Sequence, residues 1–430
     1  MRDRLPVKIY HRLAEIGRLA DQSGVAAFAV GGLVRDLLLG RGNLVVDIAV
    51  EGDGMAFARR LADRYGAGLK IFERFATALV VYPDRMKLDI ANTRAEPSPG
   101  AFAHTTGAWR IPAGGYCSIE QDLMRRDFTF NALAIHLNSG RFGRLLDPSG
   151  GLRDLRAHTL RAVYEFCFVD DPARVFRAIR FSQRFGCRIE AWTLGLLKDA
   201  MATGLVHKLP FHRVKSEVFL LLAEGDPGRM IRRMADFDIL RVIHPALTLD
   251  PRLETLLANL AKALDWWQRR FPHRKIDRPL VYFMALLDGL NRPAMNSLLK
   301  RLVLPKRQAI TVRSAKSRLG AALRRVSRSR PLKASEIYRV LAGLPDESLV
   351  LLLGKALSID MKRLVLAYVD SYRPINLSIN GKTLATMGLR QGPAYKKVLD
   401  NVMNAKLNGR IKSEREEQAF AQRLVKKMAG

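Results

Sequence analysis

The sequence predicts an α+β chain, mixed over residues 1–146 and almost wholly helical beyond them. Two observations carry this reading. Apolar residues switch repeatedly between helical and strand spacing in the first part, whereas strand signals fade beyond residue 154 and helix-length segments bounded by Pro, Gly or Asp follow. With 430 residues, 48% of them hydrophobic, the chain is long enough for two to four domains with proper cores.

Taken in order, residues 5–22 repeat Ile9, Leu13, Ile16 and Leu19 at helical spacing. Ala27-Phe28-Ala29-Val30 then reads as a short buried strand, ended by Gly31-Gly32. Residues 34–40 hold one or two helical turns. Residues 44–50, Leu-Val-Val-Asp-Ile-Ala-Val, form a strand interrupted by one acid. A helix is expected over 55–65 and strands over 69–72, 77–81 and 86–90, with Tyr82-Pro83-Asp84-Arg85 as a turn. Residues 96–115 hold Pro97, Pro99, Gly100, Gly107, Pro112, Gly114 and Gly115, a breaker density that predicts a mobile loop. The last strand signal is 159–163.

Lys and Arg number 72 against 41 Asp and Glu, a net charge of +31, which makes a polyanion such as nucleic acid or a nucleotide the default partner. No apolar run approaches the roughly 20 residues of a membrane helix. The start, MRDRLPVKIYHRL, lacks the apolar stretch of a secretory signal. Cys117, Cys167 and Cys187 match neither zinc-ligand spacing nor a disulfide framework, so a reducing cytoplasm is expected. The eight histidines are scattered and suggest no metal site.

Several motifs carry chemistry. Gly31-Gly32-Leu33-Val34-Arg35-Asp36 joins a strand to a helix, where backbone N–H groups and Arg35 can hold phosphate oxygens. Asp47 sits among apolar neighbours and needs a metal or a cation; Asp89, in Lys87-Leu88-Asp89-Ile90, can project from an adjacent strand toward the same Mg²⁺. In Arg125-Arg126-Asp127-Phe128-Thr129-Phe130-Asn131, the Asp and Asn share one face if the segment is helical and suit a ribose and phosphates. Asp170-Asp171-Pro172-Ala173-Arg174-Val175-Phe176-Arg177-Ala178-Ile179-Arg180 reads as a helix start at Asp170. Asp171, Arg174 and Arg177 are then three apart on one face, a donor and acceptor set able to read a base edge. Residues 289–335 carry thirteen Lys or Arg and no acid. Lys300, Arg301, Lys306, Arg307, Arg324, Arg325 and Arg328, interleaved with Leu298, Leu299 and Leu302, predict a cationic helical face for an RNA backbone. Taken singly, each pattern has a plain structural explanation, such as a tight turn, an ion pair or a solvated face.

In order and spacing these blocks resemble the bacterial class II tRNA nucleotidyltransferase and poly(A) polymerase family of CCA-adding and A-adding enzymes. VGGLVRDLLLGR, VEGDG, RRDFTFNALA, LLDPSGGLRDL, DDPARVFRAIRF and the HRVKSE segment around Arg213 and Glu217 carry the likeness over about residues 25–245. The stretch from Asn380-Gly381-Lys382 to Gly409-Arg410-Ile411 resembles the C-terminus of long relatives that add the terminal adenosine of tRNA, whose additional N-terminal domains are expected to be absent here.

The resemblance implies a nucleotidyltransferase head of the DNA polymerase beta type over 1–146, a base-reading neck over 147–215, and a helical RNA-binding body and tail over 216–430. By the same resemblance Gly31, Gly32 and Arg35 meet the triphosphate, Arg126 serves the phosphates, and Asp127 and Asn131 lie near the ribose. Asp171 and Arg174 form the base-reading pair, supported by Arg177 and Arg180. Asp47 and Asp89 are the catalytic, metal-binding carboxylates. The implied reaction is attack of an RNA 3′-hydroxyl, most naturally that of tRNA, on the α-phosphate of ATP or CTP with Mg²⁺.

The sequence departs from the family at two points. Where the family has Asp-x-Asp, this chain has Val45-Val46-Asp47, so the first carboxylate is missing, and Asp170 replaces the usual Glu. Glu51 lies four residues beyond Asp47, about 13 Å along a strand, and Asp53 is farther still. Two readings follow: an RNA 3′-end nucleotidyltransferase, or a relative that binds nucleotide and RNA with impaired turnover. Whether C, A or both would be added, and the oligomeric state, are not encoded in these patterns.

Overall fold

The computed structural model describes residues 5–42, 45–94, 117–326 and 332–429, which form two compact units: Met1–Gly225 with Asp236–Val242, and Asp226–Ala235 with Ile243–Gly430. The loop expected over 96–115 lies outside the described residues.

In the first unit, α1 (Val7–Gln22) buries Leu13 and Ile16 of the four residues its spacing marked, together with Ala20, while Ile9 and Leu19 are partly buried against the same core. At Gly17 the backbone of Leu137 comes so close that a Cβ would lie 1.7 Å from its carbonyl oxygen, so no larger residue fits. β1 (Ala26–Val30), α2 (Gly32–Leu38), β2 (Val46–Glu51), α3 (Gly54–Tyr65), β3 (Gly68–Phe72), β4 (Thr77–Val81) and β5 (Lys87–Asn92) follow within a few residues of the predicted bounds. Then come α4 (Ile119–Met124), β6 (Ala134–His136) and β7 (Leu145–Leu146). The seven strands form one sheet in the order β3-β4-β5-β2-β1-β6-β7, antiparallel except for β2 beside β5. β6 and β7 were not expected, being too short to show a period.

Alternation along the strands divides the sheet into two faces. Ala27, Ala29, Val46, Ile48, Val50, Val80, Leu88 and Ile90 point to the side that buries α1 and α3. Phe28, Val30 and Ala49 point the other way, against Ile119 and Leu123 of α4. Asp47 shares that second face, two residues before Ala49.

The remainder of this unit is mainly helical: α5 (Gly151–Arg156), α6 (Cys167–Asp170), α7 (Arg174–Phe185), α8 (Ala191–Ala202) and α9 (Phe211–Leu222). The expected all-α neck is modified by a two-residue parallel pair, β8 (Thr159–Leu160) with β9 (Arg188–Ile189). The strand expected over 159–163 is thus cut to two residues. All three cysteines are free and buried.

The second unit is helical among its described residues. Its C-terminal core gathers Ile379, Leu384, Val398, Val402, Ile411 and Val425. Glu417 is fully buried beside it, accepting from the backbone N–H groups of Ser378 (2.6 Å) and Ile379 (3.1 Å) and paired with Lys406 at 2.6 Å. Burial opposes that charge, but Lys406 and the N–H donors outweigh it and hold the carboxyl below its usual range. No described helix is long and apolar enough to cross a membrane.

Candidate nucleotide and metal site

The turn after β1 depends on Gly31, whose φ of 61° lies in the left-handed region. A Cβ there would also come 3.0 Å from Arg126 Nη1. Arg35, on the short helix that follows, is buried; its Nε donates to Asp36 Oδ1 (2.9 Å) and its Nη1 to Asn131 Oδ1 (2.6 Å). Its guanidinium carbon lies 4.5 Å from the centre of the Phe185 ring and 5.4 Å from that of Phe181. Arg41, Arg177, Arg180 and Arg184 lie against the same two rings at 4.7 to 5.4 Å, so five cations surround one aromatic pair.

Asp127 links this region to α7. The helical condition on which Asp127 and Asn131 would share one face is not met: after an extended Phe128 the segment is a 3₁₀ turn, Thr129–Asn131. Asp127 and Asn131 still meet: Asn131 Nδ2 donates to Asp127 Oδ1 at 3.0 Å, while Arg177 Nε donates to Asp127 Oδ2 at 2.7 Å. Burial works against the Asp127 charge, yet Arg177, Arg174 and Asn131 prevail and pull its carboxyl down to about 2.

The base-reading expectation needs correction in its geometry. Asp171 is not on the helix, because the residue before a proline avoids α conformation; its φ and ψ are −142° and 93°. Asp170 ends α6 instead of capping α7, and accepts from Tyr164 Oη at 2.7 Å. Asp171 pairs with Arg213 of α9 (2.9 Å), not with Arg174. Arg174 donates to Tyr164 Oη (2.8 Å) and to the carbonyls of Cys167 and Arg125 (3.1 Å each). Arg180 Nη2 stops 3.9 Å from Glu217 Oε2, and neither that oxygen nor Arg180 Nε has a hydrogen-bond partner among the described residues. Burial raises the Glu217 carboxyl.

Asp47 and Asp89 stand directly opposite each other on the parallel pair β2 and β5. Asp47 is half-buried and Asp89 is exposed. Burial first, and then the Asp89 charge, push Asp47 up to about 6, against the pull of Arg126 and Arg35. Val45 precedes β2 and is 64% exposed, so the residue at the missing carboxylate's position is not a buried one. Glu51 is engaged elsewhere, accepting from the Ile119 backbone N–H, and Asp53 caps α3 through Met55 N (3.0 Å) and Ala56 N (2.9 Å).

Two adjoining cavities emerge. One, of about 530 Å³, is lined by Gly31, Gly32, Arg35, Arg126, Asp127, Asn131, Asp171, Arg174, Arg177 and Arg180, together with Asp47. The other, of about 420 Å³, holds Asp47, Asp89, Ala49, Thr77, Ala91, Asn92 and Arg94. Both include Asp47, Arg125 and Arg126.

The cationic stretch in the second unit forms helices Arg292–Arg301 and Lys306–Val326. Lys300, Arg301, Lys306, Arg307 and Arg324 are exposed, Arg325 is half-buried, and Arg328 lies outside the described residues. The stretch is not uniformly outward-facing: Lys316 donates to the Asp288 carbonyl at 2.5 Å and Arg318 to that of Ala342.

Residues 27–161 match the poly(A) polymerase head domain. A solved CCA-adding enzyme in complex with ATP is 31% identical to this chain, covering 97% of it and 95% of that protein, with a TM-score of 0.80. The chain belongs to the tRNA nucleotidyltransferase and poly(A) polymerase family. Also similar is the Thermotoga maritima CCA-adding enzyme complexed with tRNA: 30% identity, TM-score 0.76, over 99% of this chain and 97% of that one. The A-adding tRNA nucleotidyltransferase of Geobacter sulfurreducens is 38% identical over 99% of this chain but 48% of its own length. This chain therefore spans about half the length of that curated relative.

Within this nucleotidyltransferase head, sequence reasoning passed over Asp122. It pairs with Arg125 (2.7 Å) and Arg126 (2.8 Å). Burial opposes its charge, but Arg126 and then Arg125 outweigh it and keep the carboxyl below its usual range. The i, i+3 and i, i+4 spacing was visible and would have found it. Tyr164 and Arg213 carry no such signal, since their contacts cross 10 and 42 residues of chain.

Proposed function

We propose that the chain is an RNA 3′-end nucleotidyltransferase that joins AMP or CMP from ATP or CTP to a tRNA end or a related RNA. One observation carries this reading: every residue expected for triphosphate, ribose or base lines a single cavity, and that cavity shares Asp47 with the carboxylate pair. Gly31 and Gly32 bring backbone close to the phosphates, and Arg35 and Arg126 supply the charge that holds them. Asp127 and Asn131 fix the ribose. Asp171, held by Arg213, presents an acceptor to an exocyclic amino group, while Arg174 braces the wall opposite it.

The donor set suits a hard divalent cation, because two carboxylates lie side by side and repel each other in an open cavity. Among the described residues no group of three or more His, Cys, Asp or Glu side chains converges, so Asp47 and Asp89 give only two of the roughly six oxygens an octahedral Mg²⁺ takes. When bound, Mg²⁺ would polarise the acceptor hydroxyl and neutralise phosphate charge. Val45 favours the second reading, in which nucleotide and RNA still bind but transfer is slow. The exposed cations of the second unit supply RNA affinity without reading sequence, and the three buried thiols suit a reducing cytoplasm.

The test is to incubate the chain with labelled ATP or CTP, Mg²⁺ or Mn²⁺, and tRNAs ending at successive 3′ positions. Transfer, or nucleotide binding without transfer, upholds one of the two readings; neither binding nor transfer overturns both. In the same assay Asp171→Asn, which replaces an acceptor by a donor, should change the preference between ATP and CTP by at least tenfold, on the order of one lost base-edge contact. It is a cleaner probe than Arg174→Ala, which would also strip support from Tyr164 and two carbonyls. For RNA, Lys306→Glu with Arg307→Glu and Arg324→Glu should weaken all sequences alike. About five phosphate contacts give a slope of roughly three to four in log affinity against log salt, and the triple variant should flatten it.

A further inference from the structure

The two cavities are distinct but meet at Asp47, Arg125 and Arg126, and in-line phosphoryl transfer requires attacking and leaving oxygens on opposite sides of the phosphorus. With the triphosphate held by Gly31 and Arg35, the acceptor hydroxyl must arrive from the cavity of Asp89, Ala91 and Thr77. The register of the sheet shows what floors that approach. Directly opposite residues share a face, so Asp47, Asp89, Leu79 and Lys70 form one row across four strands. Beside it runs a second row, Ala49, Ala91, Thr77 and Phe72. Ala49 is covered by α4, but the small side chains of Ala91 and Thr77 leave the rest of this floor open among the described residues, and an aromatic ring closes it at the edge strand. Phe72 is 38% exposed, and Lys70 Nζ lies 5.0 Å from its ring centre. Phe75 follows in the same connection, 48% exposed, with its carbonyl accepting from Arg94 of the cavity wall.

We propose that this open sheet face, ending at Phe72 with Lys70 beside it, seats the single-stranded 3′ end of the acceptor RNA, a base stacking on Phe72 and its phosphate meeting Lys70. The inference rests on the nucleotidyltransferase reading above. Phe72 lies two strands from Asp89, about 10 Å at the usual interstrand spacing, so the stacked base belongs to a nucleotide before the reacting one. Charge selects the occupant: a strip offering an exposed ring, Lys70 and Arg94 in a chain of net charge +31 suits a polyanion with stackable faces. The face is also continuous with the carboxylate cavity, where the RNA end has to react.

The probe is an RNA hairpin with a short single-stranded 3′ overhang bearing 2-aminopurine at its penultimate position, compared with the same hairpin made blunt. The full chain should bind the overhang form more tightly and quench its fluorescence. Phe72→Leu should abolish the quenching and weaken overhang binding by about 5- to 100-fold, with blunt-hairpin binding and thermal midpoint unmoved, and Phe72→Trp should restore it. Equal affinity for both hairpins, or quenching that survives Phe72→Leu, overturns the proposal. So does concentration-dependent self-association lost in Phe72→Leu while RNA binding is unchanged, which would give the face to a second copy of the chain. ATP binding measured alongside separates the two levels. If ATP does not bind the unmodified chain, the nucleotidyltransferase reading fails; if it binds while the RNA results go against Phe72, only the acceptor seat fails.

Discussion

Val45→Asp should raise divalent-cation-dependent nucleotide addition by on the order of 100-fold or more, the scale on which misplacing a reacting group costs rate. Position 45 immediately precedes β2, two residues from Asp47, and extended backbone continuing the strand would bring a carboxylate there to the face of Asp47 and Asp89, about 6.7 Å along the chain. Exposure makes the change cheap: at 64% accessibility the new charge remains solvated, and no burial has to be offset. The variant should therefore fold normally and need less Mg²⁺ for half-maximal rate. The measurement is single-turnover addition to a truncated tRNA over a Mg²⁺ series. Brisk addition by the unmodified chain that Val45→Asp does not increase would mean that another group already supplies the missing ligand. Glu51 and Asp53 are poor candidates for that role, engaged as they are by Ile119 and by the start of α3.

Asp127→Asn should cost the first unit about 2 to 3 kcal/mol, because it leaves Arg177, itself about one third exposed, beside a neutral group. At roughly 2 to 4 °C per kcal/mol for a unit of this size, a drop of about 4 to 12 °C is expected in its thermal midpoint. The effect has a pH signature with a definite sign. The folded carboxyl is depressed to about 2, against an unfolded value of about 3.9, so its contribution is present above pH 4 and lost as pH falls toward 2. The gap between unmodified chain and variant should accordingly be wide at pH 7 and close in acid. A gap that stays constant with pH would mean the Asp127 charge does not matter, and that shape alone holds the turn. ATP affinity should fall with the same substitution, since Asn131 and, through it, Arg35 lose their anchor.

Much of this was legible in the sequence because it rests on short-range rules. Strands β1 to β5 appeared within a few residues of their bounds, since each combines a clear apolar run with a Gly or Pro boundary. Asp47 and Asp89 could be picked out as acids in otherwise apolar strands, and the sheet does bring them side by side. The illegible parts are those decided by distant chain. Nothing local says that Arg174 spends its guanidinium on Tyr164 and two carbonyls, or that Arg213 takes Asp171. The displacement of Asp171 from the helix was legible and went unread, since Pro172 forbids helical conformation to its predecessor. The close packing of Gly151 on the 3₁₀ turn at Thr129–Asn131, where a Cβ would come 2.1 Å from the Thr129 carbonyl oxygen, also has no local trace. Likewise, the inward turn of Lys316 and Arg318 depends on carbonyls 28 and 24 residues away.

The five arginines around Phe181 and Phe185 have a consequence for the chain without ligand. Guanidinium groups crowded this closely repel one another, and the ring faces offset that repulsion together with Asp36, Asp127, Glu217 and Glu224, which lie 2.5 to 3.9 Å from Arg35, Arg177, Arg180 and Arg184. A polyphosphate bound among these cations would add counter-charge, and the folded state would gain resistance to unfolding in step with the anion's occupancy. On the nucleotidyltransferase reading such a pocket would hold triphosphates as a class, leaving the choice among them to Asp171 and the contacts around it.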